Sequence, residues 1–305
     1  MNRINTLIIS QIKNLLSESN IVVIGIDGPT AAGKTILAEN LGDHLTKNLK
    51  VNIEYFRLDW TLKERKDRQE DLKNLLKDED DFLLEGEIHM NLNIFEKFLK
   101  HVKFINKTSN LNNSYQTLEL NNLYSREQNG ECVGKYNYNF SDKTVLICEG
   151  HYTSRTEFFN LIDLNICLLC EKDELLKRKV ERVKTYRSSK DAIDYFWKID
   201  VPSFSFHIAR FSKCVDYFID NTDFLNPRIL PKLEVRKWIK LNKAYFKELY
   251  LIDYKDLNFF QIYKRIFSNS EINKILSINQ FKLILDFYKS IDKIIRRRLQ
   301  ENINQ

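Results

Sequence analysis

The segment from Ile21 to Thr35, IVVIGIDGPTAAGKT, does most to constrain what this chain can fold into. Its continuous apolar run, Ile21 to Ile26, is rich in β-branched residues and predicts a strand covered on both faces. The string Gly28-Pro29-Thr30-Ala31-Ala32-Gly33-Lys34-Thr35 then matches G-x-x-x-x-G-K-[ST]. Behind it, Ile36, Leu37, Leu41, Leu45 and Leu49 recur at helical spacing. A strand, a glycine loop and a helix in that order turn backbone N–H groups and the positive helix end toward an anion. Lys34 is spaced to reach outer phosphates, and the Thr35 hydroxyl to ligate magnesium. The loop Gly28 to Thr35 is therefore expected to bind a nucleoside triphosphate. A glycine turn without a ligand would leave Lys34 unexplained.

Further apolar runs at Val51 to Leu58, Val145 to Cys148, Leu164 to Leu169 and Val215 to Ile219 are separated by segments able to form helices. Strands alternating with helices predict an α/β fold with a parallel sheet. The stretch 61–143, with polar blocks such as NKTSNLNNSYQ, is expected as an insertion on the substrate side. Beyond Pro227 and Pro231 the pattern becomes helical only, with a stripe through Ile278, Phe281, Leu285, Tyr288, Ile295 and Leu299. A domain of residues 1–225 followed by an all-helical C-terminal extension, 226–305, is the expected organisation.

Two carboxylates stand where strands end, at the sheet edge that binds ligands in open α/β folds. Asp59 closes VNIEYFRL and suits base or positioning work on an acceptor hydroxyl, the alternative being a turn or capping residue. Glu149 closes VLIC and suits magnesium, directly or through water. A basic helix, EKDELLKRKVERVKTYRSSKD, brings Arg178, Arg182 and Arg187 at spacings that let the first two share a face. Arginines closing over a transferring phosphate neutralise its charge and exclude water, whereas a solvated helix would be equally rich in Lys and Glu. Trp60 is a candidate wall of the acceptor pocket or a core aromatic, and His151 a candidate pocket residue or an ordinary satisfied histidine.

Together these residues resemble the uridine kinase family of P-loop small-molecule kinases, which includes phosphoribulokinase and pantothenate kinase relatives. The resemblance rests on IGIDGPTAAGKT, YFRLDW, VLICEGHY and LLKRKVERVKTYR, with VDYFIDNTD as a strand and turn closing the core, and covers about residues 20–225. It implies a five-stranded parallel sheet with an arginine-bearing lid at about 174–207. It implies ATP or GTP with Mg2+ as donor, and a primary hydroxyl of a nucleoside, sugar or other small metabolite as acceptor. It makes Asp59 the base, Lys34 and Thr35 the phosphate and metal groups, Glu149 the magnesium-side carboxylate, and Arg178, Arg182 and Arg187 the lid contacts. Where the family grips its nucleoside with a Tyr-Asp-Phe segment followed by His and Arg, this chain reads KYNYNFSDK. It keeps Tyr136 and Tyr138 but offers Asn137, Ser141 and Lys143 at the polar places. The family's ribose-holding segment corresponds to LEGEIHMN, which makes Glu87 and His89 substrate candidates.

Composition narrows the remaining classes. With 43% hydrophobic and 30% charged residues the chain is neither disordered nor fibrous. No apolar run approaches the roughly 20 residues that span a bilayer, so no membrane partner and a cytoplasmic location are expected. Five cysteines at long spacings argue against a disulfide framework, and Cys167 and Cys170 on one strand point to opposite faces as structural thiols. The net charge of +6 belongs to the tail, where 17 Lys and Arg face 8 Asp and Glu from Asn226 onward. A solvated face, or a helix packed on the core or on a second subunit of a homo-oligomer, is expected rather than nucleic-acid binding. The rival function is a nucleotide-dependent switch acting through that tail.

Overall fold

The computed structural model describes residues 2–75, 89–108, 116–185, 188–196, 200, 203–204, 207–208, 211–231 and 233–236. Of the expected all-helical extension, residues 226–231 and 233–236 are among them and open with a short strand, Arg228–Ile229, with Leu230 in the core, so the core domain runs past residue 225; the stripe from Ile278 to Leu299 lies outside the described residues. The described chain is a mixed α/β fold with a mostly parallel central sheet flanked by helices. Its strands are β1 (Ile21–Asp27), β2 (Asn52–Arg57), β5 (Thr144–Glu149), β6 (Leu164–Leu169), β7 (Tyr217–Asp220) and β8 (Arg228–Ile229), ordered β2-β5-β1-β6-β7-β8. The first five pair in parallel, as expected, and the short β8 adds an antiparallel edge to β7.

Alternation along the buried strands divides the core in two. Val22, Ile24 and Ile26 of β1 meet Ile8, Ile12 and Leu16 of α1 (Asn2–Glu18) and Ala38, Leu41 and Leu45 of α2 (Lys34–Leu49). Ile21 and Val23 face the other way, toward Phe95, Phe98, Leu99 and Val102 of α4 (Leu92–Thr108), which follows α3 (Arg65–Leu75). Each such fully buried aliphatic or aromatic side chain contributes about 1.5–3 kcal/mol to folding. Cys167 and Cys170 fall in separate clusters on opposite sides of the sheet, both buried.

The stretch 61–143 holds a core layer as well as a cover. Within it α4 lies against the sheet, while β3 (Gln116–Ser125) and β4 (Glu131–Phe140) form a separate antiparallel hairpin. Asn129 and Gly130, both at positive φ, make its turn, and the Gly130 N–H donates to the Ser125 carbonyl at 3.0 Å. The hairpin lies along β2, so that Asn139 sits beside Glu54 and the turn reaches the carboxyl edge of the sheet near Arg65. On the far side of the sheet, α5 (Lys172–Val183) is followed by α6 (Ser189–Tyr195), capped by Ser188. The buried Lys179 of α5 pairs with Asp200 and lies 4.5 Å from the Tyr195 ring. Among the described residues no helix is long and apolar enough to cross a membrane.

Candidate active site

The glycine loop opens where β1 reverses the strand order, the position at which open α/β sheets take ligands. At Gly28 (φ +149°) a Cβ would lie 2.8 Å from the Leu168 carbonyl oxygen, and at Gly33 (φ +93°) 2.9 Å from Asn221 Nδ2, so neither position accepts a side chain without movement. Asn221, beyond β7, clamps the loop by donating to the Ala32 carbonyl at 2.7 Å. Gly33 caps α2 without a side-chain bond, which leaves first-turn N–H groups for an anion. Lys34 curls back to donate to the carbonyls of Gly28 (3.0 Å) and Pro29 (2.9 Å). Burial lowers its pKa, while the carboxylates of Glu149, Asp27 and Asp59 act to raise it.

Thr35 and Glu149 meet directly, the Thr35 hydroxyl donating to Glu149 Oε1 at 3.1 Å. Glu149 is buried at the end of β5, and its pKa is raised by that burial against the pull of Lys34. Two adjacent hard oxygens, one on a carboxylate short of compensating charge, fit a magnesium ion by donor chemistry.

Asp59 emerges from β2 in a 3-10 turn, Leu58–Thr61, where its half-exposed carboxylate pairs with Arg126 from the hairpin turn. Arg57 of β2 is level with Glu149 of β5, which is level with Ile26 of β1, so Asp59 leaves the sheet at the same edge as Glu149 and the phosphate loop. The turn is held from below by Gly150 (φ +153°), whose N–H donates to the Ile26 carbonyl at 3.0 Å. A Cβ there would lie 2.5 Å from Leu58 Cβ. Gly150→Ala is therefore expected to lower stability by about 1–3 kcal/mol, read by urea denaturation, and to depress turnover through the displaced Asp59 turn.

Trp60 is half-buried and lies 5.0 Å from the Tyr136 ring, giving an aromatic wall beside Asp59. The Tyr136 hydroxyl donates to Glu54 at 3.3 Å. His151 follows Glu149 and Gly150, and burial together with Lys34 holds its imidazole well below the usual pKa, hence neutral.

Several expected site residues are elsewhere. Tyr138 is fully buried, 4.6 Å from the Phe98 ring and stacked on Phe56 and Phe140, so it is a core aromatic and not a pocket residue. Its segment runs away from the pocket along β2. At the opposite, amino edge, Lys143 donates to the carbonyls of Leu16 and Ser19, and the Ser141 N–H to Thr144 Oγ1. His89, by contrast, lies next to the Asp59 turn: it is buried, its carbonyl accepts from the Lys63 N–H at 2.9 Å, and the Asn91 N–H donates to the Thr61 carbonyl at 2.7 Å. Arg178 does not share the role of Arg182. Its guanidinium is bound to Glu174 and to the carbonyls of Asn221 (3.0 Å) and Thr222 (2.8 Å), so it braces α5 against the chain after β7. Arg182 alone of the two reaches the phosphate loop, donating to the Thr30 hydroxyl at 3.1 Å. Glu87 and Arg187 lie outside the described residues.

Two groups at this edge escaped sequence reasoning. Asp27 is fully buried at the end of β1, bonded to His207, and Arg126 holds Asp59 from the hairpin. The signal for Asp27 was present, since a carboxylate ending an apolar strand is costly unless paired.

The phosphoribulokinase / uridine kinase family model matches residues 23–228. No curated protein matches the sequence significantly. Among solved structures, a D-glycerate 3-kinase from Cryptococcus neoformans var. grubii serotype A is similar, at 14% identity over 75% of this chain and 98% of that chain, with a TM-score of 0.53. A possible uridine kinase from Bacillus stearothermophilus is 20% identical over 69% and 98%, with a TM-score of 0.39. A phosphoribulokinase from Rhodobacter spheroides is 14% identical over 66% and 70%, with a TM-score of 0.47. The first of these shares the fold.

Proposed function

The chain belongs to the phosphoribulokinase / uridine kinase family, and on that premise we propose that it moves the γ-phosphate of ATP to a hydroxyl of a nucleoside, a sugar or a similar small metabolite. That it is a nucleotide-binding kinase of small metabolites follows from the family itself. The observation that carries the finer reading is the carboxylate of Asp59, set at the end of β2 on the same sheet edge as Lys34 and the Thr35–Glu149 pair. The family favours this reading over a nucleotide-dependent switch.

In this account the loop N–H groups and the start of α2 hold the phosphates, and Lys34 leaves the carbonyls of Gly28 and Pro29 for the outer phosphate oxygens. Thr35 and Glu149 would hold Mg2+, which would supply neutralisation of charge on the phosphate oxygens. The acceptor lies against Trp60 and Tyr136. Its hydroxyl displaces Arg126 from Asp59, an exchange that costs little because the ion pair is largely exposed. As the oxygen forms its bond to the γ-phosphorus, the bond to the bridging oxygen of ADP breaks and the hydroxyl proton passes to Asp59. Arg182, beside Thr30, contributes charge and water exclusion from α5, while Arg178 holds the helix in place.

The test is ADP release with ATP and Mg2+ over a panel of nucleosides, sugars, polyols and amino alcohols. Turnover that depends on one chemical class of hydroxylated acceptor is expected. Hydrolysis at one slow rate whatever is added would contradict the proposal.

A further inference from the structure

The carboxylate of Asp27 takes no part in the transfer just described, yet it accepts four hydrogen bonds at the sheet edge. Oδ1 accepts from the Gly28 N–H at 2.7 Å and the Tyr152 N–H at 3.3 Å. Oδ2 accepts from the Ser154 N–H at 2.9 Å and from His207 Nε2 at 2.7 Å. A carboxylate only accepts, so Nε2 carries the proton. These four donors come from three places: the first residue of the phosphate loop, the turn after β5, and the chain between α6 and β7. The imidazole is itself 2% exposed and boxed by Tyr152, edge-on at 4.9 Å, and Phe211 at 5.1 Å.

We propose that Asp27 is a positioning residue of the phosphate loop, and that His207 orients its carboxylate, so that the loop meets nucleotide already shaped for it. The inference rests on the reading of Gly28 to Thr35 as the nucleotide site. Through Gly28, Asp27 fixes the point where the loop leaves β1. Through Tyr152 and Ser154, it ties that point to the strand that carries Glu149. Burial alone would raise the pKa of Asp27, but His207 and the Ser154 N–H hold it well below the usual carboxylate range. The carboxylate is therefore charged at neutral pH and is one of the groups that oppose the loss of the Lys34 proton.

Geometry makes substitution informative. In Asp27→Asn one carboxylate oxygen becomes an NH2 group, and either orientation points it at a backbone N–H, of Gly28 or of Ser154. His207→Phe keeps the aromatic box and removes one donor. His207→Gln keeps an N–H donor near the place of Nε2.

Calorimetric titration with ATP and Mg2+ separates positioning from simple stability. For His207→Phe we expect ATP affinity to fall about tenfold, the size of one lost bond to a buried charge, with the acceptor KM unchanged. His207→Gln should restore most of that affinity, and Asp27→Asn should lose more than His207→Phe. A folded His207→Phe protein with wild-type ATP affinity would overturn the proposal, and this variant decides the matter should Asp27→Asn fail to fold. Lowered melting temperatures with unchanged affinity would show a structural brace only, and would also overturn it. A Lys34→Ala control keeps the two levels apart, because normal ATP affinity in that protein would instead refute the reading of the loop.

Discussion

Asp59→Asn is expected to bind ATP as the wild type does and to turn over about 10²–10⁴-fold more slowly, the usual contribution of a positioned general base. The side chain is half-exposed and its ion-pair partner Arg126 more so, so removing the charge costs the fold little. The amide keeps the shape of the carboxylate in the turn after β2 but cannot take the acceptor's proton. The effect therefore falls on kcat. Steady-state kinetics with the acceptor that the panel identifies, together with calorimetry for ATP, measure the two halves separately. Turnover within a few-fold of wild type would remove Asp59 from the chemistry and return it to a turn-capping role.

Lys34→Ala is expected to lose both binding and turnover. In this structure the ammonium donates to two loop carbonyls and also offsets the buried Glu149 carboxylate, so its removal loosens the loop and raises the Glu149 pKa further. With nucleotide present, the same group is the side-chain cation of the loop itself. Bonds to charged groups contribute about 1.5–3 kcal/mol, so ATP affinity should fall roughly 10- to 100-fold. Turnover should fall further, because negative charge on the transferring oxygens is greatest away from the ground state. Equal ATP affinity in wild type and variant would mean that the loop does not grip phosphate.

The parts of this molecule that could be read in the sequence are those where local pattern and burial coincide. The apolar runs became β1, β2, β5, β6 and β7; β1, β5 and β6 are buried along their whole length and so are nearly apolar throughout, whereas the edge strand β2 keeps Asn52, Glu54 and Arg57 among its apolar residues. Asp59 and Glu149 were found because each interrupts such a run at its carboxyl end. Asp27 ends β1 in the same way, but it directly precedes the loop motif and so reads as part of the loop. Lateral placement was less legible. Nothing in KYNYNFSDK says that Tyr136 faces Trp60 while Tyr138, two residues on, is sealed among Phe56, Phe98 and Phe140. Likewise, a spacing of four puts Arg178 and Arg182 on one helix face but does not reveal that carbonyls after β7 capture the first. The hairpin is masked in the sequence by its polar residues, although Asn129-Gly130 is a turn signal. Nor does the sequence join His207 to Asp27, because the two lie 180 residues apart.

The central claim is the fate of one phosphoryl group. ATP labelled at the γ-phosphate, incubated with Mg2+ and the preferred acceptor, decides it most directly. The account predicts that the label is recovered in a phosphate monoester of the acceptor, in proportion to the ADP formed, and that Asp59→Asn forms this product about 10²–10⁴-fold more slowly. Label recovered as inorganic phosphate, at a rate indifferent to the acceptor and to Asp59, would contradict it.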